Sequence, residues 1–153
     1  MSTYKKLKAN IISSMKLKDD KLVLLRSIDA DIQLLSKETK VDINEDLVLD
    51  IITKACKQRN DSIDAYTKGN RIDLVNIEKK ELNILKTYLP KQISILELNS
   101  RIDSCIERLG AKTIKDMGKV MGILVNETKN KASPKEISKI VRNKLKWNNT
   151  SYK

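Results

Sequence analysis

Four glycines and two prolines are all that punctuate the 153 residues of this chain, and long stretches of Leu, Ile, Val, Lys, Glu and Asp run between them. A many-stranded sheet needs frequent tight turns, and their usual residues are missing, whereas the intervening stretches are rich in helix formers. Apolar residues recur every three or four positions, and no alternating run exceeds a few residues, so the expected fold is all-α, monomeric or weakly associating. The core must be aliphatic, since the chain has no Phe and one Trp. Few rings are left on which single-stranded bases could stack, which argues against RRM and OB-type modules.

Several chemistries are excluded by what is missing. The chain has no histidine, hence neither the commonest general base nor the commonest metal ligand. Cys56 and Cys105 stand far apart with no C-x-x-C, a pattern of small buried hydrophobes in a reducing compartment rather than of a disulfide framework or zinc ribbon. No apolar run approaches a membrane span. The opening Met1-Ser2-Thr3-Tyr4-Lys5-Lys6 is not followed by the apolar core of a signal peptide, so the expected location is cytoplasmic.

Charge is unevenly distributed. The net charge is +11; residues 1–91 carry 18 basic and 14 acidic side chains, residues 92–153 carry 13 and 6, and from Lys112 onward the ratio is 11 to 3. A polyanion-binding surface therefore belongs at the C-terminal end.

Periodicity and capping signals predict seven helices. The first spans about Thr3 to Leu17, with Tyr4, Leu7, Ile11, Ile12 and Met15 on its apolar stripe. The second follows the break at Lys18-Asp19-Asp20, turning Leu22, Leu25, Ile28, Ile32 and Leu35 inward and Arg26, Asp29 and Lys37 to solvent. Asp42 with Glu45 has capping-box spacing for a third helix ending near Thr67, with Val48, Ile52, Ala55, Ile63 and Tyr66 as its stripe. Gly69 suits a left-handed helix end. Asn70 with Asp73 suits the start of a fourth helix, Arg71 to about Thr87, which buries Leu74, Ile77, Leu82 and Leu85 and stops before Pro90. Residues 1–91 thus form a four-helix lobe. Residues 92–153 form a three-helix bundle: Ile95 to Leu109 between Ser94 and Gly110, Ile114 to Thr128 behind Thr113 and Asp116, and Pro134 to Trp147 behind Ser133. Trp147 is expected to cover the end of this bundle, and the tail from Asn148 to fray. No internal repeat or low-complexity block is present.

The run from Arg59 through Asp61, Tyr66, Gly69 and Arg71 to Leu74, followed by Glu78, Glu81-Leu82 and Tyr88-Leu89-Pro90-Lys91-Gln92, resembles the N-terminal lobe of YqeY proteins. Asp116-Met117-Gly118-Lys119-Val120-Met121-Gly122 resembles the motif that YqeY proteins share with the tail of the B subunit of glutamine-dependent aminoacyl-tRNA amidotransferases. The resemblance covers nearly the whole chain in order and spacing. It implies an N-terminal helical lobe joined to a tail-like bundle, and in the multi-subunit enzyme that tail helps hold the tRNA body while chemistry occurs on other domains. One departure stands out: a glycine-rich loop expected after the motif reads Asn130-Lys131-Ala132-Ser133-Pro134-Lys135.

Lys135, Lys139, Arg142 and Lys146 fall on one face of the last helix, opposite Ile137, Ile140, Val141 and Leu145. On the preceding helix Lys115, Lys119, Gly122, Asn126 and Lys129 make a second polar stripe beside Ile114, Met117, Met121 and Leu124. With Lys131 between them, Lys115, Lys119, Gly122, Lys129, Lys131, Lys135, Lys139, Arg142 and Lys146 are the candidate nucleic-acid-binding residues. An ordinary solvated face is the rival explanation. Gly118 and Gly122 have two explanations: close helix packing, or approach of a sugar-phosphate backbone. Arg59, Asp61, Arg71, Asp73 and Glu78 are expected to form a salt-bridged turn rather than a catalytic pair, and Tyr66 and Tyr88 to pack with exposed hydroxyls.

The leading expectation is a non-catalytic module binding structured RNA, tRNA above all, by shape and phosphate contacts, without cofactor, metal, membrane or small-molecule substrate. The alternatives are a protein–protein adaptor acting through the N-terminal lobe, or an accessory subunit in carbon–nitrogen ligation with glutamine as amide donor. The purified chain, free of other subunits, should turn over neither glutamine nor ATP; turnover abolished by a point substitution in this chain would refute the non-catalytic reading.

Overall fold

The structure, a computed structural model, describes residues 2–150, with side chains as far as residue 146. It is all-α: α1 Thr3–Leu17, α2 Lys21–Thr39, α3 Glu45–Lys68, α4 Ile72–Lys86, α5 Ile95–Leu109, a 3-10 turn Ile114–Asp116 leading into α6 Met117–Glu127, and α7 Pro134–Thr150. No strand occurs among the described residues. The chain divides into two compact units, Met1–Leu89 and Pro90–Lys153.

In the first unit α1 to α4 bury an aliphatic cluster in which Leu25, Ile28, Ile32, Val48, Ile52 and Leu85 are almost wholly inaccessible. The stripes are narrower than the pattern suggested. On α1 the buried line is Leu7, Ile11 and Ser14, leaving Ile12 and Met15 about half exposed; Ile12 lies some 100° around the helix from Ile11. On α4 Val75 goes inside and Ile77 outside.

Helix ends follow local hydrogen bonding more than composition. The Asn44 side chain, not that of Asp42, caps α3 by accepting from the Leu47 N–H at 2.9 Å. This frees Glu45 to accept from the backbone N–H of Thr3 at 3.1 Å, and from its hydroxyl, at the start of α1. At the α3–α4 hairpin Gly69 keeps a right-handed φ of −83°, and Asn70 takes the left-handed one, +57°. Arg71, not Asn70, precedes α4, its guanidinium holding Asp73 through two bonds of 3.2 and 3.1 Å. Arg59 pairs with Glu81 at 3.2 Å. The Tyr88 hydroxyl, expected to be exposed, accepts from the Asn10 amide at 2.6 Å.

Asp29, expected in solvent, is a junction between α1 and α2. It accepts from the Tyr4 hydroxyl at 2.8 Å, from the Lys8 ammonium at 3.0 Å and from the Gln33 amide at 3.2 Å. Partial burial opposes its charge, but these donors outweigh that effect and hold the carboxyl below its usual range.

The second unit buries Leu98, Ile102 and Cys105 of α5, Val120 and Leu124 of α6, and Ile137, Val141 and Leu145 of α7 around one core. Ser94 caps α5 through the Glu97 N–H at 3.2 Å, and Gly110 ends it at φ +63°, where a side chain would be strained. Beyond Trp147, where an end was expected, the α7 backbone stays helical to Thr150; the Trp147 side chain lies outside the described residues.

A carboxylate with a depressed folded pKa contributes stability that is present at neutral pH and is lost as pH falls through that value. Asp29→Asn should therefore cost about 1–2 kcal/mol at pH 7, and the gap to the wild type should close as pH falls below about 4. Urea unfolding of both proteins across that range measures it.

Candidate nucleic-acid interface

The second unit brings the basic side chains to its surface. Burial of Ile137, Val141 and Leu145 turns α7 so that Lys135, Lys139, Arg142 and Lys146 are all exposed, while Ile140 sits half-buried at the edge. Lys144, the remaining basic residue of the described turns, lies toward α5 and pairs with Asp103 at 2.6 Å.

The segment before α7 opens as a 3-10 turn rather than as α-helix from Ile114. The Asp116 carboxylate accepts from the backbone N–H groups of Lys112 and Thr113 at 2.9 and 3.2 Å, which tightens the turn and holds that carboxyl below its usual range. Ile114, predicted to lie on the apolar stripe, is exposed, and Val120 and Leu124 are the fully buried residues of α6. Lys115, Lys119, Gly122, Asn126, Lys129 and Lys131 are exposed. The structure thus places all nine candidate residues at the surface of one unit, on α7, on α6 with its opening turn, and on the loop between them.

Gly118 and Gly122 do not serve close packing. Both are exposed, and a β-carbon built at either position meets no atom within 4 Å. The cost of helical glycine, roughly 1 kcal/mol relative to alanine, is not offset by any neighbouring helix here.

The α6–α7 loop keeps a glycine-like backbone without glycine. Asn130 takes φ +64°. The buried Thr128 hydroxyl donates to the Leu124 carbonyl at 2.7 Å, while the backbone N–H groups of Lys131 and Ala132 donate to the Thr128 carbonyl at 2.9 and 3.1 Å. The segment entering the unit clamps this loop: the Gln92 amide donates to the carbonyls of Asn130 and Pro90 at 3.0 and 2.9 Å, and the Ile93 N–H donates to the Lys131 carbonyl at 2.9 Å. Gln92 is the positioning residue that reading by residue type missed; its only signal was its place in the Pro90-Lys91-Gln92 signature.

Among the described residues no group of three or more His, Cys, Asp or Glu side chains could hold a metal ion, and no helix is long and apolar enough to cross a membrane. Cys56 and Cys105 are buried free thiols, and burial pushes the Cys56 thiol upward.

Two helical units, the second with a basic face, define a small all-α protein. The chain belongs to the YqeY-like protein family, whose sequence profile matches residues 4–145. Relatives carry the name Altered inheritance of mitochondria protein 41, mitochondrial. The one from Vanderwaltozyma polyspora is 32% identical over 121 residues, 72% of this chain and 64% of the relative. Those from Lachancea thermotolerans and Pyrenophora tritici-repentis are 34% identical over 70 residues and 27% over 134, covering 44% and 86% of this chain and 37% and 74% of theirs. The chain thus spans less than two thirds of the length of the first two relatives.

Because both glycines face open space in a helix, Gly122→Ala should raise stability by about 0.5–1 kcal/mol, and Gly118→Ala, nearer the helix start, by no more than that. Denaturant midpoints at an unchanged m-value test this; a loss of stability would point to a close contact that open space excludes.

Proposed function

We propose that this protein is a non-catalytic module that binds structured RNA, tRNA above all, through phosphate contacts made by the second unit. The observation that carries the reading is the segregation of faces on α7, where a fully buried aliphatic line lies opposite four exposed cations. Like charges at that spacing repel by a few tenths of a kcal/mol per pair, and a polyphosphate relieves the repulsion. The two exposed glycines of α6 support the same reading, since a helix face without β-carbons admits a sugar-phosphate backbone close to Lys115 and Lys119. Recognition is by shape and charge. The proposed compartment is the cytosol, where buried thiols stay reduced; the relatives' names carry the word mitochondrial, and a reducing organelle interior would serve the thiols equally well.

The test compares two triple variants binding to tRNA, with duplex DNA and a polyanion as controls, at several salt concentrations. Replacing Lys135, Lys139 and Arg142 by Gln should weaken tRNA binding and lower the slope of log affinity against log salt by roughly 0.7 to 0.9 per residue. Replacing Lys5, Lys54 and Lys79 of the first unit should change it little, because long-range fields are screened beyond roughly 8 Å at physiological salt. Equal losses from both, with circular dichroism unchanged, would make the basic face a solvated surface and give the lead to a protein–protein adaptor.

A further inference from the structure

The outer face of α2 is unpartnered and carries a repeating pattern. Leu25, Ile28 and Ile32 point into the core. On the opposite side Asp20, Val23, Ser27, Ala30, Leu34 and Lys37 succeed one another at intervals of three, four, three, four and three, the spacing of a helix-pairing seam. All six are exposed, Val23 at 79% and Leu34 at 55%, so the aliphatic pair lies open to solvent. Read from either end the order is charged, aliphatic, small, small, aliphatic, charged, with the two end charges opposite in sign.

We propose that α2 pairs with the α2 of a second copy of this chain, antiparallel, about a two-fold axis level with Ile28 and Asp29. That register sets Asp20 opposite Lys37 of the other copy, Val23 opposite Leu34, and Ser27 opposite Ala30, and symmetry repeats each layer. The small central pair lets the two helix backbones approach, the aliphatic layers flank it, and complementary charges close both ends. A parallel pairing would instead set each residue against its own copy, aspartate on aspartate and lysine on lysine. Lys37 has no ion-pair partner among the described residues, and the one ion pair of Asp20, to Lys80 at 3.7 Å, joins two largely exposed side chains and yields readily. An open groove of about 360 Å³ between α2 and α4, lined by Val23, Leu24, Ile77 and Ile84 and by five charged side chains, Lys80 and Glu81 among them, borders the seam where Leu34 of the second copy arrives. About five turns of a single helix, with small residues at their centre, bury less than the roughly 800 Å² per partner of a standard interface, so the dimer is weak and concentration-dependent.

Sedimentation velocity of the full chain from about 10 μM to about 1 mM tests this. The wild type should show a rising weight-average sedimentation coefficient. Ala30→Glu, which places carboxylates at the centre of the seam without touching the core, should abolish the rise. Asp20→Lys, which opposes two lysines at each end, should weaken association by about tenfold or more. Combining Asp20→Lys with Lys37→Asp should restore it to within about threefold; both changes oppose the α2 dipole, so the recovery cannot come from a steadier helix. Circular dichroism confirms the fold of each variant, and Ala30→Glu alone decides should Asp20→Lys unfold. The proposal is overturned if the wild type stays monomeric throughout or if Ala30→Glu associates as the wild type does. A double charge swap that fails to recover overturns the antiparallel register.

Discussion

Burial of three aliphatic residues on α7 sets the character of the second unit. Ile137, Val141 and Leu145 are fully buried, and each is worth roughly 1.5–3 kcal/mol. The repulsion among Lys135, Lys139, Arg142 and Lys146 amounts to a few tenths of a kcal/mol per pair. The aliphatic contribution is larger by nearly an order of magnitude, so it fixes the rotation of the helix about its axis, and the cations take whatever side remains. The crowding of charge on the opposite side is thus a consequence that the core can carry.

Acidic residues are few in this stretch. From Lys112 onward there are three. Asp116 is held by backbone N–H groups of its own turn; Glu127 pairs with Arg108 of α5 at 3.5 Å; Glu136 stands in the first turn of α7, where a carboxylate suits the helix dipole. The first unit pairs charges as well. There Lys8 meets Asp29, Arg59 meets Glu81 and Arg71 meets Asp73, so much of its charge is spent on holding helices and turns.

The number of helices and most of their bounds were legible because the aliphatic period is long and unbroken, and α5 shows why: Ser94 and Gly110 each have one good conformation available, and nothing distant competes for them. Other ends were misread where two local choices have similar energies. Asp42 and Asn44 are both good caps, and the choice of Asn44 goes with Glu45 serving α1 rather than its own helix. Glycine is the default left-handed residue, yet Lys18, Lys40, Asn70 and Asn130 take that conformation while Gly69 does not. For the lysines this costs on the order of 1–2 kcal/mol each, offset in part by helix-end hydrogen bonds from the Asp19 N–H to the Ser14 carbonyl and from the Val41 N–H to the Ser36 carbonyl. On the candidate interface the basic residues were legible from spacing alone. Gln92 was not, because its role is to hold the carbonyl of Asn130, 38 residues away.

The two α6 glycines separate stability from binding. A glycine packed against another helix explains itself, since a larger side chain would push the helices apart; these two meet nothing, so alanine would be the better residue on stability grounds. The backbone they leave bare lies on the same short helix as Lys119, next to the turn that carries Lys115. Long cations flanking a strip without side chains make a shape that a convex, negatively charged surface fits more closely than it fits a helix studded with β-carbons. A solvated face gives no physical reason for the bare strip, whereas the close approach of another backbone, the phosphate backbone of the proposed RNA partner included, does.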